Sequence, residues 1–187
     1  LCCAMYAAKA IRAAGLTLKG SLLIESVIGE EEGGVGALAT VLRGYKADAA
    51  IIMEPTELMI APAQAGALNF RITVPGFAAH GALRAEGVSA IEKFIPLYQA
   101  IMRFEESRTA AANNPLFAAY PIPYPIAIGT INGGSWASTV AEKVTFEGRF
   151  GIAVGEDTTT ACRAFEQIVA QAAQSDPWLS EHPPTVE

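Results

Sequence analysis

Apolar and polar positions follow two different patterns along the chain, and the change comes near residue 64. Before it, continuous apolar runs predict buried strands at 21–28 and 49–53. Helical periodicity at 1–14 and 35–42 places a helix before each of these strands. Alternating helices and strands with short connections are typical of parallel βαβ units, so we expect an α/β domain in residues 1–63.

After residue 64 the apolar and polar positions alternate, which is typical of antiparallel strands with one solvent-exposed face. The resulting β-α-β-β-α-β order predicts a ferredoxin-like α+β sandwich over residues 64–187, with two helices on an antiparallel sheet. The predicted strands are 67–74, 126–131, 143–152 and one beginning near Thr185, and the predicted helices are 89–108 and 157–174.

Composition narrows the class of protein. The 187 residues are 51% apolar and 17% charged, which is typical of a well-packed soluble protein. A net charge of −6 with scattered lysines and arginines argues against nucleic acid as a partner. The longest uncharged stretch, 109–141, contains four prolines, so no membrane helix is expected. The three cysteines lack metal or redox spacing and predict reduced thiols in a cytoplasmic protein.

Both ends of the sequence suggest an internal piece of a longer protein. Leu1 is not an initiator methionine, and it already lies on the apolar face of the first predicted helix, which is expected to stop at Gly15. At the other end, residues 183–187 resemble the approach to a strand.

Acidic residues follow both predicted strands of the first domain. Three glutamates at 30–32 come after the strand at 21–28, and Glu54 ends the strand at 49–53. Neighbouring parallel strands end at the same edge of a sheet, where open α/β sheets hold their ligands. Carboxylates that converge there suit hard or borderline cations such as zinc.

Other interpretations of these acids stay open. The glutamates at 30–32 are also compatible with a solvated acidic loop. Glu54 is expected to be largely buried at its strand end, but it is equally compatible with an arginine ion pair or with exposure to solvent. A phosphate-binding loop is disfavoured, because no lysine follows the glycines and three glutamates would repel a phosphate.

Four short motifs occur along the chain in one order, with the change of domain between the second and the third. In this order they resemble the dizinc amidohydrolases that include acetylornithine deacetylase, succinyl-diaminopimelate desuccinylase, aminoacylase and glutamate carboxypeptidase. The resemblance covers the whole chain and implies part of a catalytic α/β domain at 1–63, followed by a lid and dimerisation domain at 64–187. The motifs are Glu30-Glu31-Glu32-Gly33-Gly34-Val35-Gly36, Glu54-Pro55-Thr56, Gly76-Phe77-Ala78-Ala79-His80-Gly81 and Ile131-Asn132-Gly133-Gly134.

The resemblance implies hydrolysis of an amide bond in an N-acyl amino acid or related small molecule by a homodimer. It implies two zinc ions per site, with cobalt or manganese as alternatives. Glu30 corresponds to the general base, Glu31 to a ligand of one zinc and Glu54 to a ligand of the other, whereas Glu32 has no implied role. His80 corresponds to a lid histidine that stabilises the oxyanion in the partner's site, although a surface histidine is its other interpretation.

Arg149 corresponds to a lid arginine that binds a substrate carboxylate, with an ion pair to Glu147 or Glu142 as the alternative. Asn132 belongs to the last motif and is also a candidate for substrate binding. After that motif the family has asparagine and proline where this chain has Ser138 and Ala141. Ser138 and its neighbour Thr139 are therefore the candidates to replace that asparagine in substrate binding. Because of this difference, the resemblance does not imply which substrate this protein uses.

Part of the implied metal site has no counterpart in this sequence. The only histidines are His80 and His182, and His182 has no motif and is interpreted as a surface residue. The family's first histidine motif, bridging aspartate and final histidine are missing, so these residues supply at most half of a dizinc site. A dimerisation module without activity is therefore the second functional hypothesis.

Overall fold

The computed structural model describes residues 1–31 and 33–187, which divide into an N-terminal unit, Leu1–Ile60, and a C-terminal unit, Ala61–Glu187. The N-terminal unit contains helices α1 (Cys2–Ala13) and α2 (Val35–Leu42). Whether the two units are a partial catalytic domain and a lid stays a prediction. Within the described ranges, no helix combines the length and the hydropathy that a membrane crossing requires.

The C-terminal unit is built on one antiparallel sheet with the strand order β2-β3-β1-β4. This order and the β-α-β-β-α-β sequence confirm the predicted ferredoxin-like fold, in a chain of mixed α/β class. The short helix α5 was not expected from the sequence. The elements are β1 (Gly66–Pro75), α3 (Ala90–Ala111), β2 (Ile126–Gly133), β3 (Lys143–Ile152), α4 (Thr158–Gln174), α5 (Pro177–Glu181) and β4 (Thr185–Val186).

The core lies between the sheet and the two long helices. Phe146 and Phe150 project from β3 toward α3 and α4, because alternate residues of a strand face the same side. The Phe146 ring lies 5.0 Å from that of Phe94, and the Phe150 ring lies 5.1 Å from that of Phe165. Helices α3 and α4 cover this face, and exposed residues such as Arg71 and Arg149 lie on the opposite face, which we call the open face. The largest fully buried side chains are Phe146, Phe150, Ile72, Leu97, Ile101, Leu179, Val74, Val144 and Val169.

One ion pair ties α3 to the turn before α4. The Arg108 guanidinium bonds both Glu156 carboxylate oxygens, at 2.6 and 2.8 Å, and also donates to the Gly151 carbonyl at 2.9 Å. The pKa of Glu156 is lowered, first by the hydrogen bond from Arg108 and further by the Ala153 N–H, although burial opposes this. The pair is largely buried, so removing one partner leaves an uncompensated charge.

Replacing Glu156 with glutamine is expected to lower the free energy of unfolding of the C-terminal unit by about 2 to 3 kcal/mol. A depressed carboxyl pKa contributes stability above the unfolded value, about 4.3, and loses it as the pH falls through the folded value. The variant should therefore lose less stability than the parent below about pH 4. Urea titrations followed by tryptophan fluorescence measure both effects, since both tryptophans lie in this unit.

Glu106→Gln provides the matched control on the exposed surface of α3. It should stay within about 0.5 kcal/mol of the parent, as surface substitutions usually do. Equal stabilities for the two variants would show that the Arg108–Glu156 pair contributes nothing.

The parallel sheet expected for the N-terminal unit is wrong. Within residues 1–31 and 33–60 no strand is formed, so the parallel sheet with strands at 21–28 and 49–53 is absent there. Both segments are exposed, and Ile51 retains 92% of its accessible surface. An apolar run shows only that a segment could be buried as a strand. A strand also needs a neighbouring strand to form its backbone hydrogen bonds, and these two segments do not pair.

The helices of this unit agree better with the sequence pattern. Helix α1 ends beside Gly15, whose φ of +69° suits the left-handed position after a helix. The Leu16 N–H donates to the Ile11 carbonyl at 3.3 Å and closes the helix end. Helix α2 has the predicted bounds, Val35–Leu42.

Candidate active site

A tight turn joins the extended segment ending at Ile28 to helix α2. Gly29 and Gly34 have φ values of +69° and +73°, which glycine adopts without strain. The Gly34 N–H donates to the Gly29 carbonyl at 2.9 Å, and the Gly36 N–H donates to the Ile28 carbonyl at 3.0 Å. A Cβ at Gly36 would lie 2.3 Å from that Ile28 oxygen, so this position accepts only glycine.

Glu30 and Glu31 lie on this turn with exposed side chains. The turn therefore presents two adjacent carboxylates to solvent just before the N-terminus of α2. Glu32, which carries no predicted role, lies outside the described residues. The roles of Glu30 as base and Glu31 as ligand stay predictions.

The burial expected for Glu54 is wrong, because its side chain is exposed. The cause is local: the segment before it forms no covered strand, so nothing encloses its end. A turn follows, in which the Thr56 N–H donates to the Glu54 carbonyl at 2.9 Å. The Thr56 hydroxyl donates to the Met59 carbonyl at 2.7 Å.

The acids do not complete a metal site by themselves. In the described part of the chain, no three His, Cys, Asp or Glu side chains form a group that could hold a metal ion. The carboxylate oxygens of Glu31 and Glu54 suit zinc chemically, but structural and catalytic zinc sites need three or four protein ligands. We therefore derive no reaction step through a metal.

The C-terminal unit brings three of the predicted site residues together. His80 lies opposite Thr139 in an antiparallel bridge. The Gly81 N–H donates to the Ser138 carbonyl at 2.7 Å, and the Thr139 hydroxyl donates to the Ala79 carbonyl at 3.2 Å. The loop that carries His80 is thus fixed along Ser138 and Thr139.

The His80 ring is oriented by the backbone. His80 caps the short 3-10 helix Gly81–Glu86, and its Nδ1 accepts a hydrogen bond from the Ala82 N–H at 3.2 Å. Because an N–H can only donate, the neutral ring carries its proton on Nε2. The exposed side chain therefore offers an Nε2–H donor to a ligand.

The two histidines of the chain are expected to be opposite tautomers. His182, exposed as interpreted, has its Nδ1 3.2 Å from the Trp178 carbonyl oxygen. A carbonyl only accepts, so His182 is predicted to be the Nδ1–H form and His80 the Nε2–H form. Long-range ¹H–¹⁵N spectra of residues 1–187 above pH 8 should show one ring of each kind. Two rings of the same tautomer would contradict one of the two hydrogen bonds.

Trp136 also lies in the loop beside His80, and no sequence pattern pointed to it. The two ring centroids are 5.9 Å apart at an interplanar angle of 65°, and Trp136 is 59% exposed. The available signal was a tryptophan two residues after the Gly133-Gly134 pair and two residues before Ser138.

Arg149 projects from β3 on the open face of the sheet. It makes no hydrogen bond or ion pair with the described residues, so the alternative of pairing with Glu147 or Glu142 is wrong. The partner of Glu147 is instead Arg71, whose Nε donates at 2.7 Å. That hydrogen bond is the main cause that raises the pKa of Arg71. Arg149 thus has no acidic partner among the described residues, and it lines a cavity of about 600 Å³ together with Asn69, Arg71, Thr130, Glu147 and Glu187.

The structure does not bring Arg149 to His80. Lys143 pairs with Pro75, after which the His80 loop begins, and Arg149 lies six residues farther along β3. At about 3.3 Å per residue, this places Arg149 about 20 Å from the start of that loop. Asn132 is exposed and pairs with Thr145, at the end of the sheet where the His80 loop begins.

Comparison with known proteins gives a consistent family. The model of the family described as "Peptidase dimerisation domain" matches residues 63–177. An N-formyl-4-amino-5-aminomethyl-2-methylpyrimidine deformylase of Halalkalibacterium halodurans is 29% identical over 99% of this chain and 45% of its own length. An acetylornithine deacetylase of Klebsiella pneumoniae is 34% identical over 66% of this chain and 32% of its own length.

Solved structures are similar as well. A tripeptidase of Staphylococcus aureus is 21% identical, covers 86% of this chain and 39% of its own, and has a TM-score of 0.47. The chain therefore spans about half the length, or less, of the relatives that it matches.

Proposed function

The chain belongs to the M20 peptidase family, whose dimerisation domain it contains at residues 63–177, and on that basis we propose that the intact protein is a cytoplasmic, zinc-dependent hydrolase. Its reaction is the cleavage of an amide bond in an N-acyl amino acid or related small molecule. Glu30 is the general base, and Glu31 and Glu54 each contribute to a metal site completed by residues outside 1–187.

The observation that carries this proposal is the His80 ring. Its Nδ1 accepts a hydrogen bond from the Ala82 N–H, and the side chain that carries the Nε2–H is exposed. A fixed donor of this kind can stabilise the negative charge that develops on a carbonyl oxygen during amide hydrolysis.

The separation of Arg149 from His80 supports a site shared by two subunits. A small N-acyl amino acid is much shorter than the roughly 20 Å, or six strand residues, between Arg149 and the start of the His80 loop. This separation favours a substrate that contacts Arg149 of one lid and His80 of another. We propose that Arg149 binds the substrate carboxylate in its own subunit, while His80, with Ser138, Thr139 and Asn132 nearby, enters from the partner subunit.

Two surfaces of the C-terminal unit suit the homodimer that such sharing needs. Strand β2 lies at the edge of the sheet, and unpaired edges need covering. Helix α3 contacts this strand and exposes Ile91, Ile95 and Tyr98 at spacings of four and three residues, which form one apolar stripe. A two-fold axis beside β2 would continue the sheet and bury both stripes.

The ligand roles can be tested by metal content. Glu31→Ala and Glu54→Ala in the intact protein should each lower the zinc content measured by plasma emission spectrometry, because each removes a carboxylate oxygen. Glu25→Ala is the matched control, an exposed glutamate in the same unit. Full zinc content in both variants would place the metal site elsewhere.

The relatives suggest which substrates to test first. The panel should contain N-acetylornithine and the N-formylated aminomethylpyrimidine named for the deformylase. Hydrolysis of any of these amides that is lost on chelation and restored by zinc supports the proposal. No hydrolysis by a zinc-loaded dimer would contradict it.

For residues 1–187 in isolation we propose the second hypothesis, dimerisation without activity. The absence of a three-residue metal group from the described part of the chain favours it. Sedimentation should then show a dimer that binds zinc weakly, and the same polypeptide should not hydrolyse the panel.

A further inference from the structure

The two tryptophans of the C-terminal unit differ in what their rings contact. The Trp178 indole donates to the Pro75 carbonyl at 3.0 Å, and its ring stacks on His182 with centroids 3.8 Å apart. Trp136 is 59% exposed, and its indole N–H has no partner among the described residues. Trp178 therefore stabilises the fold, whereas Trp136 has an exposed apolar ring face and an N–H donor that are available to a ligand.

Trp136 is held in place although its ring is exposed. Its carbonyl accepts the Thr139 N–H at 3.3 Å, and the next segment is bonded to the His80 loop through Gly81 and Ser138. The indole thus stands beside the exposed His80 ring on a fixed backbone. A large side chain presented in this way loses little conformational freedom when a ligand binds.

We propose that Trp136 is a specificity-determining residue, whose ring stacks on a planar aromatic or heteroaromatic part of a substrate held at His80. This inference rests on the proposed amide hydrolysis and adds the class of substrate. Stacking requires a flat partner, so an aliphatic chain of similar length should gain much less. The free indole N–H can bond a ring nitrogen or carbonyl of that partner.

Binding to the intact protein, dialysed against a chelator to prevent turnover, tests the inference by calorimetry. The probes are two matched pairs, N-acetylphenylalanine with N-acetylnorleucine and N-benzoylglycine with N-hexanoylglycine. In at least one pair the aromatic ligand should bind more tightly, and Trp136→Leu should reduce that preference about 3- to 10-fold. Trp136→Phe should retain most of it, and Tyr120→Leu, an exposed aromatic residue outside the loop, should retain all.

An unchanged preference in Trp136→Leu, or no binding of any probe, would overturn the inference. A weaker dimer with an unchanged preference would do the same, because Trp136 would then be a subunit contact. Failure of the proposed hydrolysis is distinguishable. If the zinc-loaded protein hydrolyses no amide but still prefers aromatic ligands in a Trp136-dependent way, the proposed hydrolysis fails and the inferred binding site stands.

Discussion

Replacing Gly76 with alanine is expected to destabilise the C-terminal unit by about 4 kcal/mol or more, which is exceptional for one methyl group. The added Cβ would lie 2.4 Å from the Val88 carbonyl oxygen, 2.6 Å from that of Ala141 and 2.7 Å from the Ala90 nitrogen. All three are backbone atoms, so no side-chain rotation relieves the overlap. Because Gly76 begins the loop that carries His80, the intact protein should also lose activity.

Gly129→Ala is the control, since a Cβ there meets no atom within 4 Å. It should change the free energy of unfolding by no more than about 0.5 kcal/mol. Urea titration measures the free energy of unfolding of both variants. Equal values would show that the backbone around Gly76 shifts easily enough to accommodate a Cβ.

Replacing Glu30 with glutamine in the intact protein is expected to lower turnover by about 100- to 10,000-fold, the usual contribution of a general base. Zinc content should not change, because the proposed role of Glu30 is to accept a proton and not to bind the metal. Glu25→Gln, in the same unit, should behave as the parent. Turnover close to the parent rate in Glu30→Gln would end the assignment of the base.

The C-terminal unit could be predicted well because its signals are local. Alternation gave the observed bounds of β3, Lys143–Ile152, and the side chain of Asp157 caps α4 by accepting the Thr160 N–H at 2.8 Å. A strand with one solvent-exposed face shows its period in the sequence. Helix α5 was missed because five residues are too few for a period, although the Asp176-Pro177 start was a usable signal.

The N-terminal unit shows what the sequence pattern cannot supply. The runs at 21–28 and 49–53 have the composition of buried strands, but whether they pair depends on neighbours that no local pattern encodes. The same reason explains why Glu54 is exposed, since its burial was expected only because a strand was predicted at 49–53. The turn before α2 depends on local glycines instead, since Gly29 and Gly34 both have positive φ values.

Side-chain partners across the sheet were also beyond the sequence. Glu147 pairs with Arg71 on the neighbouring strand, because the register of β1 and β3 places them opposite each other. That pairing leaves Arg149 without an acidic partner in the part of the chain that the structure describes. Register follows from the packing of the whole sheet, so the choice between the two arginines could not be made from spacing.

The central claim, a hydrolase whose sites are shared between subunits, is tested most directly by complementation. His80→Ala and Glu30→Gln proteins, each inactive alone, are mixed in equal amounts under conditions that exchange subunits. If His80 acts in the partner's site, each mixed dimer has one site with both groups and one with neither, and about a quarter of parental activity returns by random pairing. Activity that stays at zero, although mixed dimers are shown to form, would contradict the shared site.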